Sequence, residues 1–285
     1  MTITSATTLY APSPRPAFEQ PTLITRANVT THVWGDDDAG LVADWIYAST
    51  ESLHMIIFGL APGTAFTHSP EFRTVFNADE VFYVLQGAMM VCNPETGEAT
   101  KHKSGDFLFF RKDTWHHVFA EGDEPLRVVE FLSPPPASGS TGAYSRTRPY
   151  LDASKYAREE AIGHVPLGDR SAASLMPCPP ENWVWQRDGD VSFGIVASTE
   201  HLTVGVAHVP PAGRSRQVGY GGDALLVGLD GELHVRCWQA GKSQVFVVGH
   251  RDAVFLPEGC TWELMSFGAE ARALIGVSPS FLPRL

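Results

Sequence analysis

Short apolar segments, each about the length of a β-strand, recur along the chain between turn residues. In the first half they include "HMIIFGL" from His54, "EVFYVLQ" from Glu80, "DFLFF" from Asp106 and "PLRVVEFL" from Pro125. Several are rich in β-branched and aromatic residues, which is typical of strands. This pattern predicts an all-β fold, and chains of many short strands usually close into barrels or sandwiches because open edges aggregate.

A second set of apolar segments follows in the same order and with similar spacing. It includes "VSFGIVAS" from Val191, "DALLVGLDG" from Asp223, "SQVFVVG" from Ser243 and "ARALIGVSP" from Ala271. Repetition of one β-unit indicates an internal duplication. The sequence therefore predicts two copies of one fold.

A Pro-rich break after Leu132 separates the two sets, and "DASKYAREEAI" beyond it is the one plausible helix, with Asp152 or Ser154 as its cap. The predicted organisation is an N-terminal arm (1–20), a first barrel (21–136), a connector with a short helix (137–180) and a second barrel (181–285).

Charge and composition exclude several functions. The 285 residues carry a net charge of −11, so the chain repels phosphate backbones and nucleic acid is not an expected partner. No apolar run approaches 18 residues, and the N-terminus lacks the basic and apolar regions of a secretory signal. The four cysteines are scattered, which fits thiols in a reducing cytoplasm.

A carboxylate stands at the head of one apolar strand, in "NADEVFYVLQGAMMV". Strand alternation places Glu80 on the same face as Phe82 and Val84. Either Glu80 points into a barrel and holds something, or it is a solvated charge at the strand edge. An isolated buried carboxylate is very costly, and a metal ion removes that cost.

Histidines flank this strand on both sides, and the combined pattern resembles the two sequence motifs of the cupin superfamily. The pattern is Gly63…His68…Glu80-x6-Gly87, followed by Gly105-Asp106 and, eleven residues after Gly105, His116. The resemblance covers roughly residues 59–132. The chain departs from it at Pro70, where the family has a second histidine, and at Arg111 and Asp113, where it has Pro and Gly.

The resemblance implies two double-stranded β-helix (jelly-roll) barrels in tandem, with one metal ion inside the first. The implied ligands are His68, Glu80 and His116, and Glu80 and His116 are the expected catalytic residues. Two histidines and one carboxylate suit Fe(II), although Zn²⁺, Mn²⁺ and Ni²⁺ also accept such a set. Glu71, Asp79, His117 and His54 are candidates for a fourth position or a supporting shell. The candidates for the substrate pocket are His54, Glu71, Phe82, Phe109 and Arg111.

The second half keeps the strands of this pattern without its ligands. When Gly231 is aligned with Gly87, Ala224 takes the place of Glu80. When Asp252 is aligned with Asp106, Trp262 takes the place of His116. The second barrel is therefore expected to be a metal-free copy that packs against the first.

The resemblance implies three alternative functions. The first is a ferrous dioxygenase that cleaves a carbon–carbon bond of a small aromatic diol, flavonol or diketone, with O₂ as co-substrate. The second is a non-redox enzyme (isomerase, cyclase, lyase or decarboxylase) that uses Zn²⁺, Mn²⁺ or Ni²⁺ as a Lewis acid. The third is a non-enzymatic binding or storage protein. Pairing through edge strands makes a homodimer the expected assembly.

Overall fold

The computed structural model describes residues 13–36, 39–67, 78–94, 96–110, 114–133, 173–199 and 201–278. Within these ranges the chain is built of β-strands, and the one helical element is a single 3-10 turn at Pro180–Asn182. The predicted all-β class is confirmed. The predicted connector helix lies outside the described residues.

The first barrel consists of a seven-stranded and a four-stranded antiparallel sheet. In spatial order, the larger sheet contains β12 (Leu175–Pro177), β9 (Phe107–Phe110), β6 (Asp79–Gln86), β11 (Leu126–Ser133), β4 (His54–Leu60), β3 (Gly40–Ser49) and β2 (Thr30–Asp36). The smaller sheet contains β5 (Ala65–Phe66), β10 (His117–Glu121), β7 (Ala88–Cys92) and β8 (Ala99–Lys103).

The second barrel repeats this arrangement strand for strand. Its larger sheet contains β1 (Thr22–Ile24), β20 (Ala253–Leu256), β17 (Ala224–Asp230), β22 (Ala271–Val277), β15 (Thr203–Val209), β14 (Val191–Ser198) and β13 (Val184–Asp188). Its smaller sheet contains β16 (Val218–Gly219), β21 (Thr261–Met265), β18 (Leu233–Gln239) and β19 (Lys242–Val248). The predicted duplication is therefore present in the strand order as well as in the sequence.

The two halves exchange one short strand each. β1, which the sequence analysis assigned to the first barrel, pairs with β20 of the second. β12, which it assigned to the connector, pairs with β9 of the first. The cause is sheet geometry, since each strand covers an edge of the opposite sheet that would otherwise leave backbone groups unpaired. The barrels are therefore interlocked, and neither structural unit follows the proposed boundaries.

Three apolar clusters organise the packing. One fills the first barrel, with members such as Phe58, Phe82 and Leu108, and a second fills the other barrel. The largest lies between the two seven-stranded sheets and contains residues of both halves, among them Phe131 and Val204. We call this third cluster the junction core. Alternation along a strand sends neighbouring residues to the barrel interior and to the junction core in turn.

No helix among the described residues is long and apolar enough to cross a membrane.

Candidate metal centre

Glu80 lies inside the first barrel. It pairs with Phe110 on one side and with Leu132 on the other, and Leu132 in turn pairs with His54. Residues that pair directly point to the same face of a sheet. That face is the barrel interior, because Phe82 two residues later belongs to the apolar cluster there. The side chain of Glu80 is buried, at 3% exposure for the residue.

His116 approaches Glu80 from the opposite sheet. It immediately precedes β10, whose Val118 and Ala120 belong to the interior cluster, so alternation directs His116 inward as well. Its Nε2 lies 3.9 Å from Oε1 of Glu80. Its Nδ1 lies 3.3 Å from the carbonyl oxygen of Thr114. With the proton on Nδ1 donated to that carbonyl, the lone pair of Nε2 faces the carboxylate.

Aromatic rings enclose the imidazole of His116. Its ring centroid lies 4.4 Å from that of Phe110 and 5.6 Å from that of Phe82. Phe82 also contacts Phe110 and Phe58, with centroid distances of 4.6 and 5.1 Å. This apolar wall lowers the local dielectric, which strengthens electrostatic interactions at the pair.

Burial shifts both titrating groups toward their neutral forms. It raises the pKa of Glu80 to about 8 and lowers the pKa of His116 to about 4. Oε1 of Glu80 is buried and has no hydrogen-bond partner among the described residues. A separation of 3.9 Å is also too long for a direct hydrogen bond between the two side chains. A cation bound by both groups would displace the proton of Glu80 and accept an electron pair from each.

A second buried carboxyl group was missed by the sequence analysis. Glu130 on β11 forms a hydrogen bond with Glu80, and burial together with the charge of Glu80 raises its pKa. Asp44 on β3 is also buried, and desolvation followed by the charge of Glu130 raises its pKa. Each is a lone acid in an apolar strand, which is the signal that identified Glu80.

The remaining predicted pocket residues divide between two faces of the sheet. Phe82 and His54 share the face of Glu80; Nδ1 of His54 is buried without a described partner, and burial lowers the pKa of this histidine to about 4. Phe109, predicted to line the pocket, instead packs in the junction core beside Val81, and Phe110 takes the interior position. Periodicity misplaced it because all four residues of β9 are buried, so burial does not distinguish the faces.

The structure also describes Asp79 and His117, two candidates for a fourth ligand. Asp79 accepts a hydrogen bond from the hydroxyl of Thr199 in the second barrel. His117 occupies the outer face, with its ring 5.3 Å from that of Trp115. His68, Glu71 and Arg111 lie outside the described residues.

The donor set suits a divalent transition-metal ion. An imidazole nitrogen and a carboxylate oxygen face one another in a water-poor interior, and these are the ligand types that Fe, Zn, Mn and Ni accept. Within the described ranges no three histidine, cysteine or acidic side chains form a metal-binding group. The sequence-derived third ligand is His68.

The second barrel carries apolar residues at the equivalent positions. Ala224 pairs with Leu256 and Val277 as Glu80 pairs with Phe110 and Leu132. Ile275 corresponds by the same pairing to Glu130, and it belongs to the apolar interior. Trp262, at the position of His116, is 1% exposed and packs in that interior. The alignment derived from sequence therefore agrees with the strand pairing.

The fold is that of a double-barrel β-protein with two interlocked eleven-stranded units. The first barrel encloses the buried pair of His116 and Glu80. Residues 58–132 match the family model described as "Cupin domain". The match runs from β4 to β11, so the first barrel carries a cupin domain, and the strand order of that barrel is repeated in the second.

Solved structures of low sequence identity share this fold. The chain is similar to a putative glyoxylate-induced protein from Pseudomonas aeruginosa, with a TM-score of 0.63, 16% identity and 97% of each chain covered. It is also similar to oxalate decarboxylase from Lactobacillus farciminis, with a TM-score of 0.61, 13% identity and 94% and 88% of the two chains covered. Vicilin from hazelnut, Corylus avellana, matches with a TM-score of 0.59, 14% identity and 90% and 85% coverage. No curated protein sequence matches the chain.

Proposed function

We propose that the first barrel is the catalytic centre of a metal-dependent enzyme that acts on a small organic substrate. His68, Glu80 and His116 would hold the ion. The observation that carries this proposal is the buried Oε1 of Glu80, which has no hydrogen-bond partner in the described part of the chain and lies 3.9 Å from Nε2 of His116. A buried carboxylate oxygen without a hydrogen-bond partner is costly in an apolar interior, and a bound cation would remove that cost.

Several residues of the first barrel would have separate roles at this centre. Thr114 orients the imidazole of His116 through its carbonyl oxygen. Phe82 and Phe110 exclude water from the side of the ring. Glu130 holds Glu80 through a hydrogen bond and provides a second carboxyl group that can retain a proton inside the barrel. When bound, a divalent ion supplies Lewis acidity and, if it is ferrous iron, a site at which dioxygen is activated.

More specifically, we propose that the protein is a ferrous dioxygenase that cleaves a carbon–carbon bond of a small aromatic diol, flavonol or diketone. Two histidines with one carboxylate form the facial ligand set that non-haem Fe(II) oxygenases use. The aromatic wall around His116 suits a flat, apolar substrate.

A second candidate is a non-redox lyase or decarboxylase. Several fold neighbours are oxalate decarboxylases by name, and the one from Bacillus subtilis has Mn(II) centres. The Glu80–Glu130 pair favours this candidate too, because carbanion chemistry needs a group near the reacting carbon that can deliver or accept a proton.

One experiment separates the candidates. The purified protein is stripped of metal, reloaded separately with Fe(II), Mn(II), Zn(II) or Ni(II), and assayed with catechols, gentisate-like acids, flavonols, diketones and oxalate, with and without oxygen. Ferrous-dependent turnover that consumes one O₂ per product supports the dioxygenase. Equal turnover without oxygen replaces it with the lyase, and failure of every ion to bind in a 1:1 ratio refutes the metal centre.

A further inference from the structure

Three arginines from separate segments lie near one another where the two barrels meet, and burial together with the charges of Arg26 and Arg127 lowers the pKa of Arg251. Arg127 on β11 pairs with Gln86 at the end of β6. Oε1 of Gln86 accepts a hydrogen bond of 2.7 Å from Nη2 of Arg251, in the turn before β20. Arg26 follows β1, and its backbone nitrogen lies 3.3 Å from Oδ1 of Asp252. We call Arg26, Arg127 and Arg251 the arginine cluster.

The positive charge of the arginine cluster is not compensated by any ion pair among the described residues. Elsewhere in those ranges, Arg214, Arg216, Arg236 and Arg272 each lie within ion-pair distance of a carboxylate. Arg127 instead lies over a tryptophan, Trp45, with its guanidinium carbon 4.9 Å from the ring centroid, and its Nη1 donates to the carbonyl oxygen of Leu126 at 2.6 Å. Nε of Arg251 is buried and has no described acceptor.

The duplicated fold shows what has been lost at this position. In the second barrel, Arg272 corresponds to Arg127 and Asp230 to Gln86, and both pairs follow a β-bulge at the same place. Nε of Arg272 donates to Oδ2 of Asp230 at 2.9 Å. The first barrel has kept the cation and replaced the carboxylate by a neutral amide. Among the residues described, Arg127 therefore lacks the carboxylate partner that Arg272 has.

Arg251 adds a further cation at a backbone position that disfavours it. Its φ is 64°, in the left-handed region, and the corresponding residue of the first barrel is Gly105, with φ 95°. Each donates its backbone nitrogen to the equivalent carbonyl of the neighbouring strand, that of Gly228 or Val84. The hydroxyl of Tyr47 donates to the carbonyl of Arg251 at 2.6 Å and helps to hold this conformation. An arginine where glycine is favoured indicates that its charge serves a purpose.

We propose that the arginine cluster binds a small oxyanion, a carboxylate or a phosphate group, which supplies the negative charge that Asp230 provides in the second barrel. Guanidinium groups match the geometry of these anions and form charge-assisted hydrogen bonds with them. Arg127 and Arg251 are half-buried, so their attraction for an anion is screened less than that of fully exposed side chains. The site is independent of the metal centre, since its residues lie outside the interior of the first barrel.

The probes are inorganic phosphate and succinate, titrated calorimetrically into the full chain at constant ionic strength set with chloride. We expect saturable 1:1 binding of at least one probe. Gln86→Glu places a carboxylate of unchanged shape against Arg251, and Arg251→Gly restores the residue type of the first barrel. Each should weaken binding at least tenfold without lowering the melting temperature. Binding of phosphate alone, or of succinate alone, identifies which oxyanion the cluster prefers.

The control variant is Arg272→Gln. It removes the arginine of the second barrel that corresponds to Arg127 and that already pairs with a carboxylate, Asp230. It should leave the affinity within twofold of wild type. The proposal is refuted if neither probe binds beyond the chloride background, if Gln86→Glu binds as tightly as wild type, or if Arg272→Gln loses binding to the same extent.

Discussion

At the scale of single residues, the centre depends on an acid that is expensive to bury. Glu80 is held in an apolar interior where its carboxylate gains no full set of hydrogen bonds, and its counterpart in the second barrel is an alanine. The cost is tolerated only where the charge has a use. Removing ligands should therefore remove the ion and leave the fold.

Glu80→Ala and His116→Ala should each reduce bound metal by more than tenfold, because each removes one electron-pair donor. His117→Ala, whose ring lies on the outer face, should retain the wild-type metal content. Elemental analysis after dialysis measures the metal, and far-ultraviolet circular dichroism checks that all three variants are folded. If His117→Ala lost the metal and His116→Ala kept it, the ligand would be His117 and the assignment to His116 would be wrong.

Because the pKa of Glu80 is raised, we expect the stability of the metal-free protein to depend on pH. Its pKa is about 8 in the folded chain and near 4.5 when exposed, so the metal-free protein loses stability as pH rises and the proton must leave. His116 and His54 have lowered pKa values and destabilise only below about pH 6.5, as they take up protons when unfolded.

Between pH 6.5 and 8, metal-free wild type should therefore lose about 2 kcal/mol of unfolding free energy relative to Glu80→Gln, at about 1.4 kcal/mol per pH unit for one proton. Urea denaturation of both proteins across this range measures the difference. Parallel pH profiles would show that Glu80 does not titrate there.

At the scale of elements, the start of β6 is held by the second barrel. Thr199 donates its hydroxyl to Asp79, the residue before Glu80. The duplicate of this bond runs in the opposite direction, from Thr50 to Asp223 at 2.6 Å, and Asp223 precedes Ala224. Both threonines also accept backbone N–H groups within their own turns. The two bonds therefore occupy equivalent positions in the two barrels, and Asp223 also accepts a hydrogen bond from Ser52 at 2.7 Å.

Thr199→Val should weaken metal binding about tenfold, since residues that orient ligands typically contribute 10–100-fold. Thr50→Val should lower the melting temperature about as much as Thr199→Val does. It should leave metal affinity unchanged, because Asp223, its partner, adjoins no ligand. Competition with a metal-binding dye measures affinity, and thermal denaturation measures stability. Equal losses of affinity in both variants would mean that the bond to Asp79 has no specific effect on Glu80.

At the scale of the whole molecule, the two barrels meet along an approximate twofold axis. Oγ of Ser133 lies 2.9 Å from Oγ of Ser278, its counterpart in the other barrel. Two residues earlier on each strand, Phe131 faces Gly276, and a Cβ at Gly276 would lie 2.4 Å from the phenyl ring. A large residue on one side of the junction core thus fits a small one on the other.

Gly276→Ala should destabilise the protein by about 1–3 kcal/mol, because the added methyl overpacks the junction core against Phe131. Gly268→Ala is the control, since a Cβ there meets nothing within 4 Å. Chemical denaturation of both variants gives the comparison. A midpoint for Gly276→Ala equal to that of the control would show that the junction core adjusts freely.

The sequence alone determined the strand content, the duplication, the candidate ligands Glu80 and His116 and their loss in the second half. The strand content and the duplication follow from local alternation, which burial of one strand face imposes directly on residue type. The candidate ligands follow from the resemblance of their offsets to the cupin motifs. Only the tertiary structure decided which sheet β1 and β12 join, that Phe110 rather than Phe109 faces the histidine, and that Glu130 touches Glu80. Each of these depends on pairing between strands distant in sequence, and where both faces of a strand are buried the residue types carry no record of that pairing.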